Sequence, residues 1–201
     1  MNSSLTLILA TVLYSAVHSL TASNPFKDWV YMRFGPAARR WYRLGYNLWA
    51  GVSFLPVLWL LATLSDQVLY ILPMPWTLLA VAAQGVGALL ILVGIRQTGA
   101  LSFLGFRQLL SPGQPEAETA LDQSGLYAWV RHPLYTAGLV VIWLTPMMTR
   151  NLLTLFVILS IYLVVGAWLE EKRLVRAYGA AYIEYQGKVP MLLPRLWKNR
   201  P

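Results

Sequence analysis

The chain alternates long uncharged runs with short charged segments. Five runs stand out, at about residues 4–20, 44–64, 76–95, 133–148 and 151–168. Most approach the roughly 20 apolar residues that a helix needs to cross a ~30 Å hydrocarbon layer, and the fourth is short. None alternates with the period of a strand, and backbone groups in lipid must be satisfied within their own segment, so each run is predicted to be a helix. Pro56 and Pro146 should kink or end the helices that hold them. Gly85, Gly87 and Gly94 give the third run a small-residue face suited to close helix packing. Beyond the fifth run, Leu174, Tyr178, Tyr182 and Tyr185 recur at helical spacing, while Lys172, Arg173, Arg176 and Glu184 fall largely on other faces. That pattern predicts an amphipathic helix at the inner membrane surface, with Gly179 either weakening it or permitting a close approach. The expected fold is all-α and polytopic, a single membrane domain over residues 1–201 with about five transmembrane helices. Residues 1–98 would form three of them, and residues 99–201 a loop, a helical hairpin and a cytosolic C-terminal helix.

Composition agrees with this pattern: 57% of residues are hydrophobic, 12% are charged, and the mean hydropathy is +0.53. A soluble domain carries about 25% charged residues. With no cysteine in the chain, disulfides, thiolate metal sites and cysteine nucleophiles are excluded, and no metal site is expected. The net charge of +8 would suit nucleic acid, but its distribution gives it another meaning. With the N-terminus outside, fifteen of the sixteen basic residues fall on the inner side and only Arg150 lies outside. Such asymmetry predicts an N-out, C-in protein of a bacterial inner membrane, its charges mostly topological and no nucleic acid among its partners. The first run lacks a preceding Lys or Arg, so it reads as a retained helix and not a signal peptide.

In this topology the stretch VRHPLYTAG, residues 130–138, is where the chain enters the membrane from the cytoplasm. Pro133 suits the first position of a helix and pushes His132 out of helical geometry. The helix start, with unpaired N–H groups beside Arg131, makes an anion site. A snorkelling arginine at the membrane boundary accounts for the same tripeptide. Glu170 and Glu171 sit at the inner end of the fifth run. With ~24 Å of helix from His132 to the turn and ~28 Å back, at 1.5 Å per residue, the hairpin returns both ends to one level. Arg131, His132, Glu170 and Glu171 are therefore expected at a single inner-face site, either as ion pairs or as a functional pocket. Pro112, Gly113 and Pro115 divide the preceding loop, whose polar half carries Glu116, Glu118 and Asp122 as an acidic patch.

Several pieces then occur in a fixed order: Leu121, Gly125-x-Tyr127-x-x-x-Arg131-His132-Pro133-x-Tyr135, Glu170-Glu171, Gly179-x-x-Tyr182-x-x-Tyr185 and Val189-Pro190. The order and spacing resemble the integral-membrane methyltransferases that include isoprenylcysteine carboxyl methyltransferase and the phospholipid methyltransferases. AVHSLTASNPFKDW, LSFLGFRQ and TPMMT are similar to the bacterial branch with methanethiol S-methyltransferase and the NnrU-like proteins. The resemblance implies S-adenosyl-L-methionine as cofactor on the cytosolic side. It implies membrane lipid and a small or lipophilic methyl acceptor as partners. It assigns cofactor binding to Leu121, Gly125, Tyr127, His132, Pro133, Leu134, Tyr135 and Glu171, with Tyr127 and Tyr135 enclosing the adenosine or sulfonium. Catalysis falls to Glu170 and Arg131. The carboxyl methyltransferases are expected to carry an arginine four residues before Glu170; here that position is Gly166, which favours a small neutral thiol over a carboxylate acceptor. Carboxyl O-methylation or another lipid methylation is the alternative within the family. A haem or quinone protein using His18 and His132, and a non-catalytic assembly factor, are alternatives outside it.

Overall fold

A computed structural model describes residues 2–110 and 121–195. Four helices are long and apolar enough to cross a membrane: α1 (Ser3–Ala22), α2 (Asn24–Thr63), α3 (Trp76–Gln97) and α7 (Arg150–Tyr178). Short helices α4 (Ala100–Leu104) and α5 (Phe106–Leu110), a 3₁₀ turn (Gly125–Ala128), α6 (Pro133–Trp143) and α8 (Ala180–Lys188) complete the helical set. The chain is an all-α integral membrane protein. The fourth predicted run forms an 11-residue helix, ~16 Å long, shorter than the other apolar helices. Leu144 caps it ahead of Pro146, which disfavours helix at the residue before it.

Two short strands accompany the helices. β1 (Val68–Ile71) pairs antiparallel with β2 (Met147–Thr149), with an irregularity between Val68 and Tyr70. Strands of four and three residues are too short to display a period in the sequence.

The chain divides into two compact units. The first holds α1, α2, α4, α5, the strand pair and the start of α7. Ser23 caps α2 by accepting from the Phe26 N–H, so helix resumes at once in the basic segment after the first run. Gly35, at φ 66° and ψ −153°, breaks α2 just before Pro36, whose fixed φ restarts the helix. Pro56 does not end its helix, since α2 continues through it to Thr63. Gly105 lets α5 approach α2: a Cβ there would lie 2.5 Å from the Leu44 nitrogen. Asp66 accepts from the Asn151 N–H at 3.0 Å, and Arg150 donates to Gln67 at 2.6 Å, tying the turn after α2 to the head of α7.

The second unit holds α3, the 3₁₀ turn, α6, the rest of α7 and α8. Here α6 lies along α3. The glycine face predicted for α3 is the reason, since a Cβ on Gly87 would come within 2.8 Å of Val141 and one on Gly94 within 2.7 Å of Leu134. Gly85 faces open space and is not part of that seam. Gln84 donates to the Val141 carbonyl at 2.7 Å, satisfying an acceptor in the last turn of α6. The helical hairpin forms as expected. Trp143 donates to Ser160 at one end, and Tyr135 to Glu170 at the other. Gly179, at φ 57°, splits the predicted amphipathic helix into the end of α7 and α8, which buries Tyr182 and Tyr185.

Candidate functional site

The site lies within the second unit, where α6 begins. His132 is the capping residue, with φ −124° and ψ 68°, as expected of a residue before proline. Its side chain makes no capping bond; the ring is buried and stacks on Tyr135 at 5.4 Å between centroids, 8° from parallel. The segment after α8 covers this start. The N–H groups of Arg131 and His132 donate to the carbonyls of Pro190 and Met191 at 2.9 and 3.1 Å, and the Thr136 hydroxyl to that of Leu192 at 2.7 Å.

Two consecutive glutamates near the end of α7 meet this start in different ways. Glu171 is buried, and its Oε1 accepts from Arg131 Nε at 2.5 Å and faces His132 Nε2 at 3.3 Å. Its Oε2 accepts from Gln186 of α8 at 2.9 Å. Arg131 Nη1 also donates to the carbonyls of Gln186, at 3.1 Å, and of Val189. A buried ion pair is tolerated when further hydrogen bonds satisfy both partners, and that condition holds here. Glu170 has a side chain 34% exposed, against 9% for Glu171. Its Oε2 accepts from the Tyr135 hydroxyl at 3.1 Å and lies 3.7 Å from His132 Nδ1, and Arg173 approaches Oε1 at 3.8 Å. His132 thus turns one ring nitrogen toward each carboxylate.

The 3₁₀ turn precedes this helix start and is tied to α3. Gln97, at the end of α3, donates to Asp122 at 3.0 Å and to the Ser124 carbonyl at 2.9 Å, and accepts from the Leu126 N–H at 3.3 Å. Gly125 has φ 54°, a conformation that favours glycine, and a Cβ on it would fall 2.8 Å from the Gln97 amide and displace it. The Ser124 N–H and hydroxyl, with help from Gln97 and against partial burial, hold the Asp122 carboxyl below its ordinary range. Asp122, read above as part of an acidic patch, thus serves as a turn former; Glu116 and Glu118 lie outside the described residues. Tyr185 donates its hydroxyl to the Tyr127 carbonyl at 2.6 Å. Burial, partly offset by Arg131, pushes the Tyr185 hydroxyl up to about 12. Burial and then the Glu170 carboxylate raise that of Tyr127.

Arg131, His132, Tyr135, Glu170 and Glu171 therefore form one cluster, and Tyr127 joins it through Tyr185. Pro133 is buried at the first helical position, and Leu134 packs against Gly94. Leu121 is half-buried at the head of the segment leading to the turn. The sequence reading missed Gln97, Gln186 and the carbonyls after α8. Gln186 had a signal, as a polar residue one turn beyond Tyr182 on an aromatic stripe. In the first unit, His18 Nε2 is 2.8 Å from the Tyr46 hydroxyl, a packed histidine with a local partner.

The described site thus joins a buried Arg–Glu pair to a more exposed glutamate at the start of a short apolar helix in a membrane protein. Residues 77–181 match the phospholipid methyltransferase family. The chain is 35% identical to a methanethiol S-methyltransferase of Pseudomonas sp. (strain GM41(2012)) over 91% of this chain and 70% of that protein. It is 32% identical to one from Mycobacterium tuberculosis over 94% of this chain and 76% of that protein. Nurim of Danio rerio is 25% identical over 89% of this chain and 65% of that protein. No solved structure matches. The chain belongs to the phospholipid methyltransferase family and is an integral-membrane methyltransferase.

Proposed function

We propose that this enzyme takes its methyl group from S-adenosylmethionine and passes it to a small neutral thiol at the cytosolic membrane face. The observation that carries this reading is the contrast between the two glutamates. Glu171 is enclosed by Arg131, His132 and Gln186, whereas Glu170 is open beside Tyr135. The names of the methanethiol S-methyltransferase relatives support the thiol. Gly166 supports it too. It lies one helical turn before Glu170, and a Cβ added there would meet nothing within 4 Å, so this position offers space and no cation for an acceptor carboxylate.

The residues present suit the proposed donor. The first-turn N–H groups of Leu134 and Tyr135 have no acceptor within their own helix and would receive the donor's carboxylate. The rings of Tyr127 and Tyr135 would flank its cationic sulfur. When bound, S-adenosylmethionine would supply an electrophilic methyl on a sulfonium. Glu171 fixes Arg131 and His132, which keeps the helix start in place. Glu170 accepts the acceptor's S–H and takes its proton as positive charge develops on the sulfur. The clustering of basic residues supports a cytosolic orientation.

The test is methyl transfer to methanethiol by the purified enzyme, with prenylcysteine as the competing acceptor. Methanethiol should be methylated, and Glu170→Gln should lower kcat by about 10²–10⁴-fold without changing thermal unfolding. Transfer to the prenylcysteine carboxylate with none to any small thiol would overturn the assignment.

A further inference from the structure

The first unit contains an apolar groove of about 560 Å³ between the end of α1 and the two halves of α2. Phe26 and Phe34 line it from one side of the Gly35 break, Trp41, Tyr42 and Trp49 from the other, and Thr21 from α1. Its apolar surface has a local cause. Tyr42 gives its hydroxyl to the Thr21 carbonyl, and Tyr46 places its own 2.8 Å from His18 Nε2, so the polar atoms of the wall are engaged with one another. The volume falls within the roughly 300–1,000 Å³ typical of small-molecule pockets.

One cation stands over a lining ring and a second over a ring packed against the lining. The Arg33 guanidinium lies 5.8 Å from the centre of the Phe34 ring. That of Arg39 lies 5.5 Å from Tyr31, whose ring meets Tyr42 edge-on at 5.6 Å. Arg33, Arg39 and Arg40 are exposed, and Asp28 is the one acidic residue between residues 24 and 43. An apolar cleft rimmed by arginines complements an amphiphile with a negative head. We propose that the groove holds one acyl chain of an anionic phospholipid, whose phosphate sits at Arg33 and Arg39. Membrane proteins use basic pockets between helices in this way. A zwitterionic lipid would gain the groove but little from the charges, and a free phosphate would gain the charges without the groove.

The experiment is native mass spectrometry of the full-length protein in detergent, offered phosphatidylglycerol and phosphatidylcholine with matched acyl chains. The wild type should retain phosphatidylglycerol preferentially. The double variant Arg33→Gln, Arg39→Gln should lose about thirtyfold in phosphatidylglycerol affinity, with phosphatidylcholine nearly unchanged. Gly45→Leu should weaken both lipids. Gly45 lines the groove, a Cβ there meets nothing within 4 Å, and leucine favours helix over glycine, so the variant folds while filling the space. Equal retention of the two headgroups by the wild type would overturn the proposal. So would a preference that survives both variants. Unchanged lipid retention by Gly45→Leu, with loss of a dimer or a raised KM for the methyl acceptor, would assign the groove to a second copy or to the acceptor and contradict the lipid.

Discussion

Removing the Arg131 side chain strips Glu171 of its closest partner. Arg131 donates to Glu171 at 2.5 Å and to two carbonyls after Tyr185, and both charged side chains are only 9% exposed. Arg131→Ala leaves the carboxylate with Gln186 and His132 and takes a donor from the carbonyls of Gln186 and Val189. Breaking one side of a buried pair costs about 3–5 kcal/mol. For a chain of this size that becomes a fall in Tm of about 6–20 °C, at roughly 2–4 °C per kcal/mol. Replacing both partners, Arg131→Met with Glu171→Met, removes the uncompensated charge and should bring stability back to within about 2 kcal/mol of wild type. The assay is thermal unfolding in detergent of Arg131→Met, Glu171→Met and the double variant, read as a double-mutant cycle, with Arg131→Ala alongside. Single variants that unfold within about 2 °C of wild type, with negligible coupling between them, would refute the reasoning.

Other residues give narrower predictions. The Tyr182 hydroxyl is buried with no hydrogen-bond partner among the described residues, so Tyr182→Phe should raise Tm by a few degrees, on the order of 1 kcal/mol; a lower Tm would reveal a partner. Gly87→Ala places a methyl 2.8 Å from Val141 and should destabilise by about 1–3 kcal/mol, whereas Gly85→Ala meets open space and should stabilise slightly; equal effects in a paired melt would contradict the α3–α6 seam. The lowered Asp122 carboxyl contributes stability that is complete above the ordinary aspartate value of about 3.9 and is lost as pH falls through the lower folded value. Asp122→Asn should therefore lower Tm near neutrality and shrink the acid-side decline, and identical Tm–pH curves would contradict this.

The helices were legible because apolar runs of the required length have few alternatives in lipid, and the glycines of α3 announced a close neighbour. Pro133 marked the helix start, and hairpin arithmetic brought His132 level with Glu171. The different fates of Glu170 and Glu171 were not legible. Adjacent residues on a helix point about 100° apart, and which one faces inward depends on where Arg131 and Gln186 arrive. Nor did the cover over residues 131 and 132 show in the sequence, because it uses the carbonyls of Pro190 and Met191, which carry no side-chain signature. The break at Gly35 was missed for a related reason. A basic segment without an apolar run carries no helical prediction, while Ser23 and Pro36 each start a helix within it.

The measurement that bears most directly on the proposed function is calorimetric titration of S-adenosylhomocysteine into the purified enzyme, alongside a His132→Ala, Tyr135→Phe variant. Wild-type binding that the variant loses, with its fold intact by circular dichroism, is the result expected if the start of α6 holds the donor. A folded wild type that binds no S-adenosylhomocysteine, or a variant that binds it as well as wild type, would contradict that site.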